Sequence, residues 1–255
     1  MWPLNRQPAI PAFSSDAWMR ASAGQAVLEI LGQTERERLW ALAHAFLHSR
    51  SIQPVGNLTL DDRHRLRIAL LVALPVLGLD LGWYRGLHEL IIYPDAFAPN
   101  RNWIDEYGIA HTGRQALSGE AWDEGLILLS WADIEAAGPL DGHHVVLHEC
   151  AHWLDLQNGA ANGRPPLHRD MDPTDWTHHF SVAYADFSAS PRHCCAALDP
   201  YAAENPAEFF AVCCELFFER PQALHDCWPD IHRLLVAFFR QRPDDRIHPD
   251  TGRPS

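Results

Sequence analysis

His148-Glu149-Cys150-Ala151-His152 places two histidines four residues apart, with a glutamate directly after the first. On a helix, positions i and i+4 share a face, so both imidazoles can grip one metal ion. A metal there lowers the pKa of bound water, and the glutamate can take the proton as the water attacks. The spacing therefore predicts metal-assisted hydrolysis, with His148 and His152 as ligands and Glu149 as catalytic base. Val145-Val146-Leu147 before the motif and Trp153-Leu154 after it make the rest of this helix apolar. Two buried histidines and a buried glutamate without a shared partner would be costly, which favours a metal over a chance match.

Catalytic zinc usually has three protein ligands and one open position. The metzincin pattern needs glycine at 155 and histidine at 158; the chain has Asp155 and Asn158, which excludes it. A carboxylate from a later helix remains. Asn205 is a good N-cap and Pro206 a good first helical residue, so a helix starts there. Glu208, Glu215 and Glu219 then line one face, while Phe209, Phe210, Cys213, Leu216 and Phe217 fill the others. Spacing leaves Glu208 open between two roles, because Asn205-x-x-Glu208 is also a capping box. Glu215 is a candidate to orient one ligand histidine, and Asp155 either the other or a helix cap. His143 and His144 are expected to face solvent; His178-His179 and Cys213-Cys214 are expected to be structural.

The elements that position these residues follow from local pattern. Thr34-Glu35-Arg36-Glu37 reads as a helix start, as does Thr59-Leu60-Asp61-Asp62, which leads into an apolar run ending near Pro75. Gln53 to Asn57 between them reads as a loop. Leu90-Ile91-Ile92-Tyr93 and Leu126 to Trp131 read as strands, the latter as the edge on which an extended substrate could pair. Asp141-Gly142 is a turn before the motif helix, and Asn158 to Pro173 a long loop. Helical pattern returns at Trp176–Phe187, Pro206–Glu219 and His225–Arg240. The order predicts an α+β fold: a mainly helical metallopeptidase core over 59–241 with a small sheet, an N-terminal helical region over 1–58, and a flexible tail over 242–255.

Composition narrows the function classes. Apolar residues are 47% of the 255, ample for one core, and the net charge of −13 without a basic stripe argues against a nucleic-acid partner. The chain has no lysine, which removes Schiff-base, P-loop and Ser-Lys chemistry at once. The start is not a secretory signal, and Ile68 to Leu79 is too short to span a bilayer, so a cytoplasmic protein is expected. The six cysteines, with adjacent pairs at 194–195 and 213–214, are expected to be buried reduced thiols.

The motif, with Asn162-Gly163-Arg164-Pro165-Pro166-Leu167 after it, resembles the MtfA (Mlc titration factor A) family of zinc peptidases. Ser118-Gly119-Glu120-Ala121-Trp122, Leu129-Ser130-Trp131 and Asn205 to Val212 extend the similarity from about Leu60 to about Pro221. Cys150 and Trp153 depart from the family at variable positions of the motif, and residues before Thr34 match weakly. The resemblance implies a zincin-like fold and a gluzincin-like site, with one Zn2+ on His148, His152 and Glu208. It also implies that Tyr201, seven residues before Glu208, donates a hydrogen bond to the oxyanion. Aminopeptidase-like hydrolysis of a peptide or protein substrate and binding of an Mlc-like transcriptional repressor are its further implications. The rival expectation is a non-catalytic zinc protein that sequesters a transcription factor.

Overall fold

Helix formation at the N-terminus is driven by one apolar stripe per segment. The computed structural model describes residues 10–95, 100–104, 110–114, 119–122 and 125–247. Ser118 and residues 248–255 of the expected tail lie outside the described residues. Helices α1 (Ser15–Ser22), α2 (Ala26–Glu29) and α3 (Gln33–Ser49) come first, burying Trp18, Leu28, Leu39 and Phe46. The third opens slightly ahead of the expected Thr34 box, because Glu35 rather than Glu37 reaches back, accepting the Gly32 N–H at 3.1 Å. Strand β1 (Ser51–Pro54) follows, and then α4 (Asp62–Ala73), whose cap Asp61 accepts the His64 N–H at 2.9 Å. Residues Ile68 to Leu74 are fully buried, so α4 is the central post of the core. Arg67 fastens the N-terminal helices to it, donating to the carbonyls of Ala21 and Ala23 at 2.8 and 2.7 Å.

Strand β2 (Glu89–Tyr93) is parallel to β1, with Ser51 opposite Glu89. Strands β3 (Asn100–Ile104) and β4 (Ala110–Arg114) form a separate antiparallel pair. Strands β5 (Gly119–Trp122) and β6 (Leu126–Ser130) complete the main sheet, in the order β1-β2-β6-β5. Two expectations change at this sheet. Of the expected loop from Gln53 to Asn57, Gln53 and Pro54 belong instead to strand Ser51–Pro54, on the outside of the sheet, where a proline without an N–H is tolerated. Leu126–Ser130 is held on both sides, so it is not an edge; among the described residues the outer strands are Ser51–Pro54 and Gly119–Trp122, the latter antiparallel to Leu126–Ser130.

Ser130 ends β6 and caps α5 (Trp131–Ala136), accepting the Asp133 N–H at 3.2 Å. The motif helix is α6 (Val145–Asp155), followed by the long loop and α7 (Pro173–Ala189). Then come α8 (Pro191–Cys194), a 3-10 turn at Pro200–Ala203, α9 (Pro206–Glu219) and α10 (Pro221–Cys227). Helices α11 (Pro229–Phe239) and α12 (Asp244–Ile247) end the described chain. Pro229 divides what reads as one helix from His225 to Arg240. Arg246 of the last turn pairs with Glu35 at 2.8 Å, tying this end of the chain to α3. A single apolar cluster runs from Trp18 to Phe239 and includes nearly all of α9. No described helix is long and apolar enough to cross a membrane.

The expectation of six free thiols is corrected at one pair: Cys195 and Cys227 form a disulfide. Neighbouring cysteines point in different directions, which leaves Cys194 free and aims Cys195 at a separate partner. The bond closes 32 residues that contain the Pro200–Ala203 turn and all of α9. Loop closure of that length contributes about 3–4 kcal/mol. Cys227→Ser is therefore expected to lower the urea midpoint, and added reductant should do the same only in the unmodified protein. Coincident midpoints for all four samples would contradict this.

Candidate metal centre

Two buried helices, α6 and α9, lie against each other and build the site between them. Helix α6 turns Val146, Leu147, Cys150, Trp153 and Leu154 into the core, so His148 and His152 share its remaining face. Their side chains are 15% and 13% exposed, accessible only from one side. Asn205 caps α9 by accepting the N–H groups of Ala207 and Glu208 at 2.9 and 3.0 Å. The side chain of Glu208 turns to the histidines. Its Oε2 lies 3.1 Å from His148 Nε2 and 3.2 Å from His152 Nε2, and the two nitrogens are 3.0 Å apart. Geometry thus separates the two roles that spacing left open: Asn205 does the capping and Glu208 joins the histidines.

These three atoms fit a metal. Two imidazole lone pairs at 3.0 Å repel unless a proton or a cation sits between them. Tetrahedral ligands at zinc distances stand about 3.3 Å apart, only slightly wider than this trio. Among the described residues, His148, His152 and Glu208 are the one set of three able to hold an ion in this way. Burial alone would lower the pKa of His148, but hydrogen bonds to Glu208 and Glu215 and the charges of Glu215 and Glu149 outweigh it and raise it. Burial would raise Glu208, yet His148 and His152 together hold it well below the usual carboxylate range. Without metal the trio keeps its proton on nitrogen, and metal binding must release it.

The other acids of α9 brace this arrangement. Glu215 accepts from His148 Nδ1 at 2.7 Å and from the His144 backbone N–H, which fixes the ring so that Nε2 is the nitrogen turned to Glu208. Glu219 accepts the Gly142 N–H at 2.8 Å, and burial pushes its carboxyl up to about 8. The row of acids therefore organises the start of α6, which has no side-chain cap of its own. Asp155 does not orient a histidine through any hydrogen bond among the described residues; its Oδ2 accepts the Gly163 N–H at 2.6 Å and anchors the long loop. Gly163 has φ +77°, and a Cβ there would lie 2.6 Å from the Pro206 carbonyl oxygen, so the loop can press on α9 only with glycine.

Glu149 is 4% exposed, beside His148 on the same helix. Tyr201 is 42% exposed on the Pro200–Ala203 turn, with its ring centroid 6.3 Å from that of His148. Burial first, then the negative charges of Glu208, Glu204 and Glu149, push its phenol up to about 12, so it stays a donor at neutral pH. Sequence reasoning missed Asp199, whose carboxylate accepts the Tyr201 N–H at 2.8 Å and pairs with His143 at 3.4 Å. The signal was present, since Asp199-Pro200 is a cap followed by a first-turn proline. His143 is half exposed, but His144 is fully buried, against expectation; burial lowers its pKa to about 4 and keeps it neutral.

The chain matches the family model described as glucose-regulated metallopeptidase M90 over residues 2–240. It is 36% identical over 250 residues to Mlc titration factor A of Pectobacterium atrosepticum, covering 96% of this chain and 93% of that protein. The protein of the same name from Yersinia pestis is 37% identical over 225 residues, covering 87% and 83%. That of Yersinia pseudotuberculosis gives the same values. A match along nearly the whole chain, with relatives more than one-third identical over most of their own length, makes this chain a member of the M90 family of glucose-regulated metallopeptidases.

Proposed function

We propose that this chain is a zinc-dependent peptidase with an aminopeptidase-like preference, in which His148, His152 and Glu208 hold one zinc ion. The observation that carries the reading is the convergence of Glu208 Oε2 on both Nε2 atoms, with Glu215 fixing His148 from behind. Two nitrogens and a carboxylate oxygen are the donor set of a catalytic zinc that keeps a position open. Zinc in this set supplies a Lewis acid that acidifies water and polarises the scissile carbonyl. Glu149 takes the proton from the attacking water and passes it to the departing amine. Tyr201 donates its phenol hydrogen bond to the carbonyl oxygen as negative charge develops there. The resemblance noted in the sequence supports the aminopeptidase-like preference.

Tyr201 gives the first test. A donor that acts in the transition state should, in Tyr201→Phe, lower kcat by roughly 100-fold and leave KM nearly unchanged. The half-exposed ring should also tolerate the change without loss of melting temperature. Unchanged turnover would remove Tyr201 from the reaction.

The relatives' name, Mlc titration factor A, supports a second activity, binding of an Mlc-like transcriptional repressor in the cytoplasm. In the rival form of that reading the zinc site only shapes a docking surface and no peptide is cleaved. Repressor inhibition retained in a hydrolysis-dead Glu149→Gln protein would favour sequestration. Its loss with hydrolysis would favour the peptidase.

A further inference from the structure

We propose that Asp199 is a positioning residue for the reaction: its carboxylate clamps the turn that carries Tyr201 to the segment leading into the motif helix. The inference rests on the peptidase reading above and deepens it, since it concerns how the oxyanion donor is held beside His148.

Packing alone does not fix Tyr201. Its ring is exposed enough to keep rotamer freedom that a core would take away. The place of its hydroxyl therefore depends on its backbone, in the four-residue 3-10 turn Pro200–Ala203. So short a turn has little order of its own. Asp199 supplies it: Oδ1 accepts the Tyr201 N–H at 2.8 Å, and Pro200 between them has its φ fixed by the ring. The Tyr201 carbonyl accepts the Glu204 N–H at 3.0 Å, so both backbone groups of Tyr201 are occupied. At the far end of the turn the Tyr184 hydroxyl donates to the Ala203 carbonyl at 3.3 Å.

The second oxygen of Asp199 makes a contact that a cap does not need. Oδ2 lies 3.4 Å from His143 Nδ1. His143 belongs to the short segment ahead of α6, and the acids of α9 hold that segment on either side of it. Glu219 accepts the Gly142 N–H at 2.8 Å, and Glu215 accepts the His144 N–H. Glu215 also accepts from His148 Nδ1 at 2.7 Å. One chain of contacts thus runs from a proposed zinc ligand through Glu215, the His143-His144 backbone and Asp199 to the backbone of Tyr201. It sets the phenol relative to His148, whose ring centroid is 6.3 Å from that of Tyr201. An exposed pair such as Asp199 and His143 contributes little to stability, so its effect falls on geometry. Geometry is costly to lose, because a misplacement of about 1 Å can slow a reaction by about 100-fold.

The test reads both turnover and the tyrosine itself. The substrate is the tripeptide amide that the zinc-loaded parent protein cleaves fastest from a mixed library. Asp199→Ala should lower kcat about 10-fold and leave KM nearly unchanged. Asp199→Asn and His143→Ala each keep the cap but break the pair, and should lower kcat only about 3-fold. In a Tyr201→Phe background none of the three should lower kcat measurably further, because the group they position is already gone. NMR of metal-free protein with isotope-labelled tyrosine is the second readout. Of the five ring signals, the one lost in Tyr201→Phe should shift or broaden in Asp199→Ala. A cap that serves stability alone would lower the melting temperature without moving that signal. An unmoved Tyr201 signal, or an equal loss of turnover in both backgrounds, would overturn the proposal. A library left uncut by the parent protein would remove the peptidase reading and the reaction role of Asp199 with it. The tyrosine signal would still show separately whether Asp199 places the ring.

Discussion

Glu149→Gln is expected to abolish hydrolysis while leaving zinc bound. The change removes the proton acceptor and keeps size, helix propensity and all three proposed ligands, so the metal content should stay at one ion per chain. Loss of a general base costs roughly 10²–10⁴-fold in rate, and the same group also delivers the proton to the leaving amine. The combined fall in kcat should therefore reach the upper end of that range or beyond. Glu149 is buried beside His148, so the glutamine also tests whether its charge steadies the protonated histidine of the metal-free site. Zinc content and turnover measured on the same preparation separate base from ligand. A variant that purifies without zinc would make Glu149 a ligand and the assigned roles wrong.

Glu208→Gln should act in the opposite way, losing metal and activity together. Glutamine keeps the shape of the side chain, but it is neutral and a far poorer zinc ligand. The helix start should survive, because Asn205 Oδ1 holds the first N–H groups of α9 without help from residue 208. The metal-free melting temperature should accordingly lie close to that of the parent protein. Asn205→Ala is the complementary change, expected to cost about 1 kcal/mol of stability through the lost cap. Stoichiometric zinc and normal cleavage in Glu208→Gln would remove Glu208 from the ligand set. Glu215 would not simply replace it, since its two oxygens already serve His148 Nδ1 and the His144 N–H.

The parts of this architecture legible in the sequence are those with strong local grammar. Helix α9 begins at Pro206 and ends at Glu219 as read, because Asn205-Pro206 starts it and Arg220-Pro221 ends it. The motif helix was legible from its apolar flanks, and the acid row at 208, 215 and 219 from its spacing. What escaped was decided by tertiary partners. Ser51–Pro54 contains nothing that distinguishes a strand from a loop until β2 lies beside it. His144 looks like a polar helix start, but α9 covers it and supplies the carboxylate that its backbone needs. Cys195 and Cys227 have no motif between them; the fold brings their Cα atoms to 5.6 Å. Asp155 was read as a possible support for a histidine from its place one turn on, and the loop at Gly163 claims its carboxylate instead. Glu208 stayed ambiguous because a capping box and a metal ligand use the same residue at the same spacing, and only the direction of the side chain separates them.

The central claim is tested most directly by stripping the purified protein with a chelator, reloading it with measured zinc, and following digestion of a peptide mixture by mass spectrometry. Cleavage should be absent from the stripped protein and rise in proportion to added zinc up to one equivalent per chain. Cleavage that persists without metal, or a fully loaded protein that cuts no peptide, would contradict the account.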